Sequence, residues 1–181
     1  MNWMTEIIQV VRAEVPGCPS PTVERAVLKA AREYFEQSGS WVEDIDFTIK
    51  AGRVKKDLTM RVPGRFLYVL RAAPAGLPFE IDGSTYTLLE PRAEDVEIAL
   101  TVAVGVADKK TEVGDRERED MADAVMYGAL ARLFRQKQPW GDMLLAAANA
   151  EDFRKAIGRA RGKVATPGVA VTYHAVGRSF E

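Results

Sequence analysis

Apolar residues recur at three- and four-residue steps in four stretches of the chain and alternate with polar residues in the stretch between them. The first periodic stretch, 3–15, carries Met4, Ile7, Ile8, Val11 and Val15 on one face, with Thr5, Glu6, Gln9, Arg12 and Glu14 opposite or flanking. The second, 23–37, is cleaner: Val23, Ala26, Val27, Ala30, Ala31, Tyr34 and Phe35. The third, 115–137, has Ala122, Val125, Met126, Ala129, Leu130 and Leu133, widened by Met121, Tyr127, Gly128 and Phe134 so that more than one face is covered. The fourth, 142–161, offers Met143, Leu144, Leu145, Ala146, Ala150, Phe153, Ala156, Ile157 and Ala160 as its apolar side. Such stripes predict four amphipathic helices.

Punctuation agrees with these limits. Pro16-Gly17-Cys18-Pro19-Ser20-Pro21 is a stiff break. After it Ser20 or Thr22 can cap the second helix, with Pro21 in its first turn. Gly39 suits a left-handed C-cap. Asp115, Glu117, Glu119 and Asp120 crowd the start of the third helix, and Arg132, Arg135 and Lys137 its end, in the sense the helix dipole favours. Pro139 stops that helix, Trp140 is expected to pack back on the core, and Asp142 can cap the fourth helix. Gly128 in a helix interior costs about 1 kcal/mol relative to alanine. A glycine and four alanines in this helix therefore imply that another backbone comes close.

Between the second and third helices, 41–107 reads as strands. Ile45, Phe47 and Ile49 alternate with Asp46, Thr48 and Lys50; Leu58, Met60 and Val62 alternate again; Arg65–Leu70 is a β-prone run, and 72–76 a loop. Asp82-Gly83 predicts a type I′ hairpin turn with Tyr86–Leu89 returning. The clearest strand is Val96–Val106, whose second face passes from Glu97 to Ala103 and Gly105, so its far end should lie beneath another layer. The predicted class is α+β: a bundle of about four helices with an inserted antiparallel β-sheet, forming a single domain over 1–164. A C-terminal arm, 165–181, follows, with β-prone residues Val171, Tyr173 and Val176. A tail of this kind docks on a neighbour by strand addition, the alternative being plain disorder.

Charge narrows the function. The 181 residues hold 25 Lys and Arg against 26 Asp and Glu, without the basic excess of a dedicated nucleic-acid binder. The exposed side of the second helix, with Glu24, Arg25, Lys29, Arg32, Glu33 and Glu36, mixes signs as a solvated surface does, unlike a DNA-reading helix. A ring passing DNA needs no basic excess, since a neutral lining gains little affinity and lets DNA slide. Cys18 has no partner for a disulfide and no His or Lys next to it that would activate it. No apolar run is long enough to predict a membrane span. His174 lies in the arm without an orienting partner, and one Cys with one His makes no metal motif. Walker A, GxGxxG and GxSxG motifs are absent. Asp44, Asp46, Glu94, Asp95 and Glu97 are carboxylates of strand edges and turns, where solvated acids are the norm. No catalytic, cofactor or metal residue is assigned.

Three stretches resemble the head–tail adaptor (head-completion, connector) proteins of tailed phages. They are Val15-Pro16-Gly17-Cys18-Pro19 with the helix Ala26–Phe35 that follows it; Gly128-Ala129-Leu130-Ala131-Arg132-Leu133; and Lys137-Gln138-Pro139-Trp140. Ala147, Phe153 and Ala160 fall in the family's last helix, whereas Tyr34-Phe35-Glu36 departs from its Phe-Cys form. The resemblance covers the two helical halves and not the β-rich middle. It implies a virion protein without enzymatic activity or cofactor, assembled in the host cytoplasm. Its copies, commonly twelve, would form a ring between the portal and the downstream tail or neck proteins, around passing double-stranded DNA. Carried onto this chain, the portal-contacting arm would use Val169, Val171, Tyr173, His174, Val176 and Phe180. Contacts between subunits would use Glu24, Lys29, Arg32, Glu36, Asp115, Arg116, Glu117 and Arg118. The helix around Gly128 would be core. Another neck or tail-completion role, or a small nucleic-acid binder or enzyme, are the alternatives.

Overall fold

The helical layer is built round α3 (Asp115–Phe134). The computed structural model describes residues 3–164, in which α3 packs against α2 (Ser20–Ser38) and α4 (Met143–Val164). The remaining helix, α1 (Trp3–Glu14), lies against α2 and α3. The Tyr34 hydroxyl donates to the Asp120 carbonyl at 3.2 Å, Lys163 Nζ meets Asp120 Oδ1 at 2.6 Å, and Gly128 faces both Ala30 and Phe153. These contacts make α3 antiparallel to both neighbours. At the crossing, a Cβ placed on Gly128 would lie 3.0 Å from Ala30 Cβ and 3.0 Å from two ring atoms of Phe153. The close approach expected from the small residues is therefore present, and Met121, Ala124, Val125, Ala129, Leu130 and Leu133 fill the space around it.

Helix ends follow local chemistry with one exception. Gly39 adopts φ +60° and its N–H bonds the Phe35 carbonyl at 2.9 Å, the left-handed cap read from the sequence. Asp142 Oδ1 accepts from the N–H groups of Leu144 and Leu145 at 2.8 and 3.0 Å, as an N-cap should. Neither Ser20 nor Thr22 caps α2. The helix begins at Ser20 itself, and Pro19, extended at φ −60°, ψ 134°, is the capping residue without a side-chain bond.

The insertion forms two three-stranded antiparallel sheets where one was expected. In the larger, β6 (Val96–Gly105) is central, flanked by β1 (Val42–Ile49) and β3 (Arg65–Ala73). The smaller holds β2 (Lys55–Asp57), β5 (Thr85–Leu88) and β4 (Phe79–Asp82), in that order. Phe47 of β1 meets Tyr86 of β5 with ring centroids 5.2 Å apart, and Tyr86 stacks on Phe79 at 4.9 Å. The far end of β6 is buried on both faces, Val102, Ala103 and Val104 being fully enclosed, and it contacts α2. That is the covering layer expected above the small residues.

Three local expectations are corrected. Residues 58–62 are not a strand; the short strand lies just before them, and the Arg61 N–H bonds Glu43 Oε1 at 2.5 Å instead of a neighbouring backbone. β3 runs on to Ala73 into the segment expected to be loop. The hairpin turn falls on Gly83-Ser84, with positive φ at Gly83 alone (+60°), the pattern of a type II′ turn and not of a type I′ turn at Asp82-Gly83.

Gly128→Leu should destabilise the fold by about 3 kcal/mol or more, because the side chain has nowhere to go between two helices. The midpoint of urea unfolding measures it. Burial pushes the Tyr86 phenol up to about 12. Its unfolded value is about 10, so the neutral phenol stabilises the fold fully below pH 10, and that contribution is lost as pH rises towards 12. An ultraviolet phenolate titration should show a late step that Tyr86→Phe removes.

Candidate interaction surface

The residues expected to contact other subunits do not form one patch. Arg32 turns inward and donates through Nη2 to the Ala107 carbonyl beyond β6, while its Nε is buried with no partner among the described residues. Glu36 pairs with Arg65 of β3, and its carbonyl accepts from the Tyr68 hydroxyl at 3.4 Å. Both therefore join the helical layer to the sheet. Lys29 is exposed and Glu24 half-buried on the earlier part of α2. Glu24 is about 18 Å along the helix from Glu36 at 1.5 Å per residue. Asp115 and Arg118 form an ion pair at 3.4 Å; Arg116 is exposed, and the Glu117 carboxylate folds over Gly114. The Tyr34–Asp120 bond puts this charged start of α3 beside the end of α2. Glu36 thus shares an end of the bundle with Asp115–Arg118, and Glu24 and Lys29 do not. The arm residues Val169, Val171, Tyr173, His174, Val176 and Phe180 lie outside the described residues.

The point from which the arm departs is fixed in detail. Arg161 Nε and Nη2 both donate to the Gln37 carbonyl, at 3.0 and 2.6 Å. This carbonyl belongs to the last turn of α2, where acceptors are left without helical partners. Lys163 meets Asp120 at 2.6 Å. Their partners, distant in the chain, leave no signal in the sequence. Arg132 is a similar case. It donates to its own helix at the Gly128 carbonyl (2.6 Å), pairs with Glu33 of α2, and lies 5.8 Å from the Phe153 ring centroid of α4.

One apolar expectation, that Met143, Leu144 and Leu145 belong to the buried side of α4, is corrected, and a second exposed apolar feature lies on the sheet. Met143, Leu144 and Leu145 are exposed by 70%, 84% and 46% and do not join the buried side of α4. That side is Ala146, Phe153, Ile157 and Ala160. At 100° per residue Leu144 and Leu145 rotate off it, and Met143 begins the helix over a hollow of about 500 Å³ bounded by the α3–α4 turn. On the sheet, Val42 (45% exposed) and Tyr68 (38%) are open to solvent opposite the buried face.

Several titratable groups have partners within the fold. Asp44 accepts from the Thr101 hydroxyl at 2.7 Å. Asp95 is held below the usual carboxylate range by its bond to Lys50 at 2.6 Å and by the Ala51 N–H at 2.9 Å. Cys18 is buried, with Sγ 3.9 Å from the Pro19 carbonyl, and burial pushes its thiol up, away from reactivity. A hollow of about 650 Å³ beside α3 and α4 is lined by Tyr127, Asp152, Lys155, Gly158 and Arg159, where Lys155 already faces Asp152 at 3.7 Å. Among the described residues no three His, Cys, Asp or Glu side chains converge as a metal cage, and no helix is long and apolar enough to cross a membrane. Comparison of the sequence with protein-family models and with curated proteins finds no match.

Arg161→Met keeps the side chain's apolar stem and removes both bonds to Gln37. Because the pair is exposed, global stability should change by no more than about 1 kcal/mol. Amide hydrogen exchange in the last turn of α4 should rise clearly, as read by mass spectrometry of peptides covering 155–164.

Proposed function

We propose that this chain is a structural subunit of a homo-oligomeric ring that sits between the portal and tail of a tailed phage. The ring would extend or seal the DNA channel after packaging and offer a platform to the tail. What supports the reading is the place in the fold of the stretches that resemble head–tail adaptors. Val15–Pro19 makes the turn from α1 to α2, with Val15 and Cys18 buried. Gly128–Leu133 is the segment of α3 clasped by α2 and α4. Lys137–Trp140 is the turn from α3 to α4, with Trp140 packed against the core. The single observation that carries the reading is the Gly128 crossing. The residues that carry the resemblance specify a helical scaffold, and exposed apolar surface is left for assembly. DNA would pass through without sequence-specific contacts, in keeping with the balanced charge.

The test is native mass. A 20.0 kDa chain that assembles into a closed multi-copy species, alone or on addition of a purified portal, fits the proposal. A chain that stays monomeric at tens of micromolar and ignores the portal overturns it.

A further inference from the structure

The larger sheet has two outer strands, and they differ. The Val104 N–H bonds the Trp41 carbonyl at 2.8 Å, and Trp41 and Val104 continue the register Val42↔Ala103. In an antiparallel ladder bonded pairs alternate with non-bonded ones. Hence Glu43, Ile45, Phe47 and Ile49 spend their backbone groups on β6, and Val42, Asp44, Asp46 and Thr48 aim theirs away from the sheet. No backbone partner for these four is present among the described residues. β3 presents an edge broken by register shifts at Phe66/Tyr68 and Val69/Arg71, a known way of blocking strand addition. In the smaller sheet the outer strands are three and four residues long. β1 is thus the long, regular, unbroken edge of the described fold, eight residues in perfect register with β6.

We infer that the free edge of β1 receives residues 169–176 of a second copy of this chain as an added antiparallel strand. This rests on the ring reading and deepens it. The segment reads Val-Ala-Val-Thr-Tyr-His-Ala-Val, eight residues of high β propensity that match β1 in length. It carries no acid to oppose Asp44 and Asp46, and Arg178 follows it. The last described residue, Val164, follows Arg161 and Lys163, which are bound to Gln37 and Asp120, so the described chain ends beside the last turn of α2, which is itself joined to β3 through Glu36 and Tyr68. Four linking residues, 165–168, reach about 13 Å at 3.3 Å each. From beside β3 the outer side of the chain's own β1 lies three strand spacings away, about 14 Å, beyond that reach. From an adjacent copy it can pair antiparallel, the slightly more stable arrangement. The exposed Val42 would be covered as the sheet gains a strand. Residues beyond 176, Phe180 among them, remain for the portal.

Amide hydrogen exchange on the assembled full chain tests this. Val42, Asp44, Asp46 and Thr48 should exchange at least tenfold more slowly than in a full chain carrying Val171→Pro and Thr172→Pro. Adjacent tail residues point opposite ways, so one of these prolines always removes an N–H facing β1. Ile45 and Phe47 should be unaffected, which controls for folding. In a Cys18→Ala background, mixing Asp46→Cys chains with Thr172→Cys chains should give a disulfide between copies on oxidation. Even-numbered amides that stay fast in an assembled ring would overturn the inference and leave the ring standing. So would a double variant, Asp46→Cys with Thr172→Cys, that cross-links only within one chain. If the chain stays monomeric and the ring reading falls, a synthetic 165–181 peptide decides separately. Protection of the four amides on adding it supports the edge site, and no protection overturns it.

Discussion

Everything in the helical layer depends on how closely α2 and α4 approach α3 at Gly128. Two helices that also touch each other converge on one residue that has no side chain, Ala30 and the Phe153 ring both lying 3.0 Å from the place its Cβ would take. A helix glycine costs about 1 kcal/mol in propensity. The contact offsets this by letting Val125, Ala129, Leu133 and Val27 reach full burial. Fully burying a large aliphatic side chain is worth about 1.5–3 kcal/mol, so a few such residues outweigh the glycine. Arg132 then spans the same junction from the side, linking α2, α3 and the Phe153 ring. Half-exposed as it is, its ion pair contributes little by charge alone. Its value is geometric, since the stem covers apolar surface that would otherwise face water.

The sheet is joined to this scaffold through β6 and the segment after it. Val104 and Val106 are enclosed, Arg32 holds the Ala107 carbonyl, and Thr111 Oγ1 accepts from the N–H groups of Ala107 and Asp108 at 3.2 and 3.0 Å. Trp3 donates through Nε1 to the Thr111 carbonyl at 3.0 Å, so the first helix closes over the same loop. A stretch that looks like a polar connector, Asp108–Glu112, thus contains a buried threonine that ties the start of α1 to the end of the sheet. Position of the sheet relative to the helices follows from these few bonds.

Much of this was legible in the sequence because it is written in period and punctuation. Four helices, the central strand and its buried far end, the Gly39 cap, the Asp142 cap and the close approach at Gly128 all follow from local rules. What was not legible came from partners far away in the chain. The segment 58–62 alternates like a strand, but the Glu43 carboxylate captures the Arg61 N–H. Met143, Leu144 and Leu145 look like core because hydrophobicity carries no record of where α3 stops. The bulges in β3 and the slip of the hairpin turn by one residue are settled by pairing and twist, which no single strand encodes. Of the candidate surface, the charges were visible but not their employment. Arg32 and Glu36 read as solvated, and both are committed to internal contacts.

That division bears on how such a chain could assemble. Charges that are already paired internally are poor material for contacts between copies, because breaking one pair to make another gains little. What the described fold leaves uncommitted is of another kind: the outward backbone groups of β1 and the apolar first turn of α4. Backbone edges and apolar surface are satisfied only by addition of something to them, and in water they are the features a lone subunit conceals when it can. β3 conceals its edge with two bulges. β1, in the same sheet and of nearly the same length, does not. Asymmetry of this sort gives a subunit a direction, and a head-to-tail contact repeated around an axis closes a ring where its rotation divides a full turn.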